Sequence, residues 1–249
     1  MGRALPDIHL FPDADALTLG AAEFVTDEAQ RSIEMMGRFT IALSGGSTPR
    51  SLYETLATPA FAKRIDWDKW HLFWGDERAV HPYHADSNYR MTKLALLDHV
   101  EIPRENVHRV EAEHLPPVAA RVYAGTIREH FGAKAPVFDL ILLGMGEDGH
   151  TASLFPGDAS VHEHTKLVTT SRLTGDDPAR VTFTLPLINA ARRVMFMITG
   201  ENKADMVRRA IEPGLLEPSI PAGLVSPKKG WLHWFLSHDA ASELGNIPV

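Results

Sequence analysis

Short apolar runs alternate with longer amphipathic segments along most of this chain, and this alternation is what most restricts its fold. The strongest run, FDLILL at 138–143, is almost wholly apolar, as is typical of a strand covered on both faces. The pattern predicts an α/β fold: a mostly parallel, doubly wound, Rossmann-like sheet flanked by helices. Strands are predicted over 39–43, 70–74, 138–143, 166–171, 181–185, 193–199 and 231–236.

Capping residues mark the ends of the helices that lie between these strands. Gly37 suits the left-handed position after the first helix. Ser87 is a good N-cap for another helix, whose Leu94, Leu97 and Val100 are expected to lie together on one side. The predicted helices span 13–36, 87–100, 116–131 and 201–211, and surface loops are predicted over 172–178 and 212–230.

Composition limits the class of protein. The 249 residues are 44% hydrophobic and 23% charged, which is typical of a globular chain, and we expect one α/β domain over 1–249. A net charge of -7 gives no support for nucleic-acid binding, so an anionic ligand would need a local basic pocket. The absence of cysteine excludes disulfides, thiolate metal sites and cysteine nucleophiles. No membrane span or signal peptide is recognised, and a cytoplasmic location is expected.

The loop after the strand at 39–43 has the composition of an anion site. It is SGGSTPR at 44–50, and Gly45 and Gly46 allow a sharp turn and close approach of backbone to a ligand. Ser47 or Thr48 can cap the next helix, and the proline suits its first turn. Exposed N–H groups at a helix start bind anions, so this loop is a candidate phosphate cradle. A plain strand–turn–helix connection has the same composition and stays open as the alternative.

Charged residues follow the strand at 70–74, in the sequence GDER at 75–78. Asp76 can act as an acid, a base or an orienting group, and Arg78 can hold an anion bidentately. A solvated turn with a local ion pair is the alternative. The neighbouring histidines match no strong metal-ligand spacing, and no metal is expected at His81, His84, His162 or His164.

The segment GMGEDGHTASLFPG at 144–157 combines glycines with titratable groups. Its glycines satisfy the dinucleotide pattern G-x-G-x-x-G, but the motif lies mid-chain and the next strand does not end on the acidic residue that would hold a ribose. Asp148 and His150 favour chemistry instead. A histidine titrates near neutral pH and can take a proton from water, and a nearby carboxylate can fix its tautomer. A capping aspartate beside a structural histidine is the alternative.

Two basic residues lie further along the chain. Arg180 begins the run RVTFT, and Lys203 follows the strand at 193–199 at the start of a helix. Both can converge on a phosphate, and an ordinary exposed base is the alternative for each.

Together these segments resemble the 6-phosphogluconolactonase family, within the larger group that includes glucosamine-6-phosphate deaminase and isomerase. The resemblance covers almost the entire chain, and DGHTASLFPG is its most specific part. In one departure, His81 stands where the family often has proline, and Pro82 follows one place later. The matching segments are SGGSTP at 44–49, GDER at 75–78 with SN at 87–88, GMGEDGHTASLFPG at 144–157, RVTFT at 180–184, GENKA at 200–204 and, more weakly, IPAGLVSPKKGWLHWFLSHDAA near the C-terminus.

The resemblance implies hydrolysis of 6-phosphoglucono-δ-lactone to 6-phosphogluconate, without a cofactor and on a fold similar to glucosamine-6-phosphate deaminase. It implies that His150 is the general base toward water and that Asp148 orients it. Asp76 would position hydroxyls or support Arg78, and Arg78 would bind phosphate or stabilise developing negative charge. The phosphate is expected to contact Gly45, Gly46, Ser47, Thr48, Arg180 and Lys203.

Two alternative functions are weaker. Deaminases of the larger group resemble D-G-H-I-A-F-N-E-P here, and their glutamate assists ring opening. In this chain Thr-Ala-Ser-Leu-Phe-Pro follows His150, with no carboxylate, which favours a lactonase. A sugar-phosphate sensor would normally carry a DNA-binding segment, whereas the roughly forty residues before the phosphate loop read as one strand and one helix. We expect a small-molecule phosphosugar lactone as partner, no nucleic acid or membrane, and a monomer or weak homo-oligomer.

Overall fold

The computed structural model describes residues 6–171, 178–212, 215, 217 and 219–245. Of the surface loops predicted at 172–178 and 212–230, residues 172–177, 213–214, 216 and 218 lie outside this range. The strands are β1 (Asp7–Phe11), β2 (Phe39–Leu43), β3 (Trp70–Trp74), β4 (Asp76–Arg78), β5 (Leu140–Leu143), β6 (Val168–Ser171), β7 (Arg180–Phe183), β8 (Arg193–Ile198) and β9 (Trp231–Ser237).

The central sheet has six strands in the order β1-β9-β8-β5-β2-β3, and each of its pairings is parallel. Every residue of β2 and β5 is buried, as expected for strands covered on both faces. Phe196 and Trp234 are partners across β8 and β9, and their rings stack with centroids 4.1 Å apart. The predicted mostly parallel α/β sheet flanked by helices is confirmed.

A second, antiparallel sheet has the order β4-β7-β6. Its strand β4 was not among the predicted strands, and the alternative of a solvated turn over GDER was wrong. Three charged residues form this strand because β7 supplies their backbone partners and a cluster of polar groups holds their side chains. Neither feature is visible in the local sequence pattern.

The helices are α1 (Ala14–Met36), α2 (Ser47–Leu56), α3 (Pro59–Ala62), α4 (Asn88–Thr92), α5 (Pro116–Phe131), α6 (Leu185–Ile188) and α7 (Ala204–Ile211). Gly37 has a φ of 75° and donates its N–H to Ile33, as predicted for a residue after a helix. Within the described residues, no helix combines the length and apolar character needed to cross a membrane.

Helix α4 begins as predicted but changes its geometry. The Ser87 side chain accepts a hydrogen bond from the Arg90 N–H, which confirms it as the N-cap. A π-helical turn follows over Lys93–Leu97. This wider turn changes the angular spacing of the side chains: Leu94 is 53% exposed, Ala95 and Leu96 are buried, and Leu97 and Val100 pack against the core. The prediction that Leu94, Leu97 and Val100 lie together on one side was therefore wrong.

Two buried tyrosines hold the ends of adjacent central strands. The Tyr53 hydroxyl accepts from the Ser44 N–H at 3.0 Å and donates to the Ser44 carbonyl at 2.8 Å. The Tyr123 hydroxyl makes the same pair of bonds with Trp74, at 2.7 and 3.1 Å. Each side chain satisfies backbone groups where the strand leaves the sheet, so the loops after β2 and β3 begin from fixed positions.

Three histidines form a cluster near the amino ends of β2 and β3. His71 Nδ1 lies 3.3 Å from His108 Nε2, and the His130 ring packs against both. Burial lowers the pKa of His108 to about 4 and, together with the charge of Arg38, the pKa of His130 to about 3. Burial and Arg38 also lower the pKa of His71. At pH values where the histidines of the unfolded chain are already protonated, these three imidazoles therefore stay neutral in the folded chain.

Acid should weaken the fold through this cluster. Below about pH 6.5 an unfolded histidine binds a proton that its folded counterpart does not bind, so the free energy of unfolding falls as the pH drops toward 4. We expect His108→Gln to flatten this decline, measured by urea unfolding across that pH range. His84→Gln, a change of an exposed histidine, should keep the wild-type slope. Parallel slopes for all three proteins would contradict the assignment.

Candidate active site

A cavity of about 460 Å³ opens where β2, β5 and β8 end at their carboxyl edges. This volume is typical of small-molecule sites, and its position is the one expected for a parallel α/β sheet. Nine of the ten predicted site residues line it: Gly45, Gly46, Ser47, Thr48, Asp76, Arg78, His150, Arg180 and Lys203. The tenth, Asp148, is not part of this lining but hydrogen-bonds to His150.

The loop after β2 presents the first turn of α2 to the cavity. Gly46 is the N-cap of α2, with a φ of 109° that favours glycine, and no side chain caps the helix. The prediction that Ser47 or Thr48 caps the helix was therefore wrong, since both lie inside its first turn. Thr48 Oγ1 instead lies 3.1 Å from the hydroxyl of Thr199. The residues of this first turn line the cavity together with Arg78, Arg180 and Lys203, a combination that suits an anion.

Gly45 is glycine because Asn88 occupies the space beside it. A Cβ at Gly45 would lie 2.0 Å from Asn88 Oδ1, well inside contact distance. The Asn88 amide donates to the Asp76 carbonyl at 2.9 Å and to its carboxylate at 3.3 Å. The loops after β2 and β3 are thus packed together through one buried asparagine.

Asp76 is a buried carboxylate with fixed orientation. It accepts from Ser153 Oγ at 2.6 Å, in addition to the bond from Asn88. Ser153 itself is fully buried. These bonds join the loop that carries His150 to the start of β4, so Asp76 is held at the cavity wall.

Glu77, next to Asp76, has a structural role, and the donors to its carboxylate are backbone N–H groups and a hydroxyl. Its carboxylate accepts from the backbone N–H groups of Arg78, Asn88 and Tyr89 and from the Ser87 hydroxyl. Burial raises the pKa of Glu77, although the backbone hydrogen bonds oppose this effect. The local ion pair considered for GDER is absent at Glu77 among the described residues; this side chain holds the start of α4 instead.

Two arginines lie side by side on adjacent strands of the small antiparallel sheet. Arg78 of β4 is the register partner of Arg180 of β7, and both line the cavity. Directly opposed like charges are unfavourable in a sheet unless an anion lies between or beside them. Arg78 donates through Nη1 to the Asp86 carbonyl at 2.6 Å, and its buried Nε has no hydrogen-bond partner among the described residues. The arrangement supplies positive charge locally in a chain of net charge -7.

Lys203 adds a third cation to the cavity lining. It lies in a 3₁₀ turn before α7, and its Nζ donates to the Met145 carbonyl at 2.9 Å. The neighbouring Asn202 donates to Glu147 at 2.6 Å. Both contacts fix the turn after β8 to the loop after β5, so the ammonium group is positioned at the cavity.

Asp148 and His150 form a close pair. His150 Nδ1 lies 2.6 Å from Asp148 Oδ1, and the His150 backbone N–H donates to the same oxygen at 3.1 Å. Burial alone would raise the pKa of Asp148, but the two hydrogen bonds from His150 outweigh it and lower the pKa. Because an ionised carboxylate only accepts hydrogen bonds, Nδ1 is the donor in this contact. The His150 ring also packs on Phe155, with centroids 4.5 Å apart.

The glycines around this pair are required by packing. A Cβ at Gly146 would lie 2.1 Å from His150 Nδ1 and 2.6 Å from Asp148 Oδ1. Gly149 has a φ of 82°, and a Cβ there would meet Ile220 at 2.7 Å. The G-x-G-x-x-G spacing therefore accommodates the Asp148–His150 pair. Ala152, which lines the cavity, has a φ of 47°, an uncommon value for a residue with a side chain.

The structure also places residues at the site that were not predicted there. Asn88 and Asn202 lie within the segments SN and GENKA, but an uncharged side chain there did not single them out as site residues. The sequence around Thr199 contains no motif that would have indicated a site residue. Ser153 contacts the site only through Asp76. The cavity-lining residues that were not predicted include Ser44, Asn88, Met145, Ala152, Thr199 and Asn202.

Comparisons with known proteins agree with this architecture. Residues 12–234 match the family model described as glucosamine-6-phosphate isomerases/6-phosphogluconolactonase. A 6-phosphogluconolactonase of Nostoc sp. is 40% identical over 241 residues, covering 95% of this chain and 98% of the relative. The structure of a 6-phosphogluconolactonase from Trypanosoma cruzi has a TM-score of 0.87 and 28% identity, covering 98% of this chain and 99% of that one. A monomeric glucosamine-6-phosphate deaminase, at 18% identity and a TM-score of 0.77, shares the fold and covers 95% of this chain and 99% of its own.

Proposed function

The chain belongs to the family of glucosamine-6-phosphate isomerases and 6-phosphogluconolactonases, and we propose that it hydrolyses 6-phosphoglucono-δ-lactone to 6-phosphogluconate in the oxidative pentose phosphate pathway. The observation that carries this proposal is the Asp148–His150 pair beside a cavity lined by three cationic side chains. The pair supplies a base, and the cations supply a site for a phosphate. The segment from Thr151 to Pro156 has no carboxylate that could assist ring opening of an amino sugar.

His150 is the general base in this mechanism. Its Nε2 takes a proton from water while the water oxygen bonds to the lactone carbonyl carbon. The Asp148 carboxylate stabilises the imidazolium that forms, through the 2.6 Å contact at Nδ1. When the tetrahedral intermediate collapses, the bond between this carbon and the ring oxygen breaks. The imidazolium then returns its proton to the departing oxygen.

The remaining polar groups are assigned to binding and orientation. The phosphate lies between the first turn of α2 and the side chains of Arg180 and Lys203. Arg78 binds the phosphate or stabilises negative charge that develops on the carbonyl oxygen. Asp76, fixed by Ser153, accepts hydrogen bonds from sugar hydroxyls or supports Arg78.

A coupled assay tests the activity itself. The lactone is generated in situ from glucose 6-phosphate, and its decay is compared with and without the chain, because lactones also hydrolyse spontaneously. We expect the chain to accelerate decay of the lactone and to release no ammonia from glucosamine 6-phosphate. Ammonia release without lactonase activity would assign the chain to the deaminase branch. Binding without turnover of either compound would favour a sensor.

Loss of one phosphate ligand should mainly affect binding. We expect Arg180→Gln to raise KM for the lactone by at least about tenfold, because a charge-assisted hydrogen bond typically contributes about 1.5–3 kcal/mol. The value of kcat should change much less, since this side chain is assigned to the nonreacting phosphate. Arg50→Gln is the matched control, since Arg50 pairs with Glu54 on the surface of α2. An unchanged KM in Arg180→Gln would remove this residue from the phosphate site.

A further inference from the structure

A second group of ligand-type side chains lies on β1 and β9, away from the cavity. Asp7 and His9 are two residues apart in β1, so their side chains share one face of the strand. His233 of β9 is the register partner of Asp7. The surrounding layer is aromatic, with Phe24 of α1 and Phe235 of β9 packed on the imidazole rings.

The three side chains direct one atom each toward a common point. Asp7 Oδ2 lies 3.1 Å from His233 Nδ1 and 3.2 Å from His9 Nε2. The two nitrogens lie 3.4 Å from each other. The three ligand atoms therefore form an almost equilateral triangle.

This triangle has the dimensions of one face of a metal coordination shell. With edges of 3.1–3.4 Å, its corners lie about 1.9 Å from its centre, whereas nitrogen and carboxylate ligands bind zinc at about 2.0–2.2 Å. An ion placed roughly 1 Å above the plane satisfies all three distances. Two histidines and one carboxylate on one face are an established ligand set for divalent first-row metals.

We propose that Asp7, His9 and His233 form a binding site for a divalent transition-metal ion of the zinc type. The three ligand atoms lie close enough together for one ion to contact all of them at once. The side chains of Asp7 and His9 are 53% and 34% exposed, which leaves a path for the ion, and His233 is held in place by burial.

The other histidine cluster is a weaker candidate. His71, His108 and His130 include no carboxylate, and the positive charge of Arg38 acts on two of their rings. That cluster would bind a divalent cation without a negatively charged ligand. The Asp7 cluster supplies one, and Arg193, whose charge acts on His233, is itself paired with Glu28, which favours the Asp7 cluster as the metal site.

The location of the site indicates a structural role. The cavity lies beyond the carboxyl ends of the central strands, whereas Asp7 begins β1 and His233 lies in the first half of β9. Strand β1 is at the edge of the sheet and pairs with β9. A bound ion would fasten this edge strand without reaching the substrate. This inference is independent of the proposed lactonase activity.

Zinc titration of the chelated full-length chain tests the proposal. Calorimetry is expected to give one tight site whose Kd rises at least about tenfold in Asp7→Asn and in His9→Gln. Zinc at about 100 times Kd should raise the Tm of the wild-type chain by roughly 5 °C or more. Both substitutions affect partly exposed side chains, so these variants are expected to fold, and their Tm without zinc checks this.

Two further variants assign the site. His108→Gln and His150→Gln should bind zinc with the wild-type Kd, because they alter the other cluster and the cavity. His9→Gln and chelated wild type should both keep the wild-type kcat on the lactone. Absence of a zinc site in the wild type, or an unchanged Kd in Asp7→Asn and His9→Gln, would overturn the proposal. Loss of binding confined to His108→Gln or His150→Gln would also overturn it.

Discussion

Replacing His150 by alanine should lower kcat by about 10²–10⁴-fold, the usual contribution of a positioned general base. The substitution removes the only group that the mechanism assigns to the proton of the attacking water. It leaves the first turn of α2, Arg180 and Lys203 in place, so KM should change little. The measurement is the decay of lactone generated in situ, with the spontaneous rate subtracted at each substrate concentration.

The matched control is His84→Ala. His84 is also a histidine two residues from an aspartate, with 3.6 Å between its Nδ1 and the Asp86 carboxylate, but it is exposed and outside the cavity lining. Its replacement should leave kcat and KM at wild-type values. Nearly full kcat in His150→Ala would eliminate His150 as the base, whatever its contact with Asp148.

Gly146→Ala should reduce kcat nearly as strongly as loss of His150. The added methyl group would lie 2.1 Å from His150 Nδ1 and 2.6 Å from Asp148 Oδ1, so the pair cannot keep its present geometry. Displacement of a positioned catalytic group by about 1 Å typically costs about 10²-fold. The expected result is a fall in kcat of that order, with a much smaller change in KM.

Gly125→Ala provides the matched control, because it makes the same chemical change on α5, outside the cavity lining. A Cβ at Gly125 would meet no heavy atom of the described residues within 4 Å, and its φ lies outside the positive range. This variant should keep kcat near the wild-type value. Thermal unfolding of both variants separates a local displacement from a general loss of stability. Equal kcat values in the two variants would show that Gly146 has no special role in placing His150.

The central strands were predictable because each carries its own signal. The strands at 39–43 and 70–74 are mostly apolar and buried, a glycine follows soon after each, and the structure has both strands with those bounds. Ser87 and Gly37 likewise mark helix ends through local capping geometry. Such features depend on residues close together in the chain, and the sequence contains all of them.

Features that depend on distant partners were not predictable in the same way. Strand β4 exists because β7, about a hundred residues later, supplies its backbone partners. The exposure of Leu94 follows from a π-helical turn that the spacing of apolar residues does not reveal. Gly45 is explained by Asn88, which reaches it through the fold and not along the chain.

The sequence by itself determined the α/β class, the order of the central elements and the residue types of the site, since periodicity, capping and motif composition are local properties. Tertiary structure alone decided how those residues meet. It placed Arg78 opposite Arg180 in a second sheet, fixed Asp76 through Ser153, and set Gly45 against Asn88. These contacts join segments whose separation along the chain carries no information about distance in space. Steric and electrostatic complementarity appears only when the strands have paired and their loops lie at one edge of the sheet.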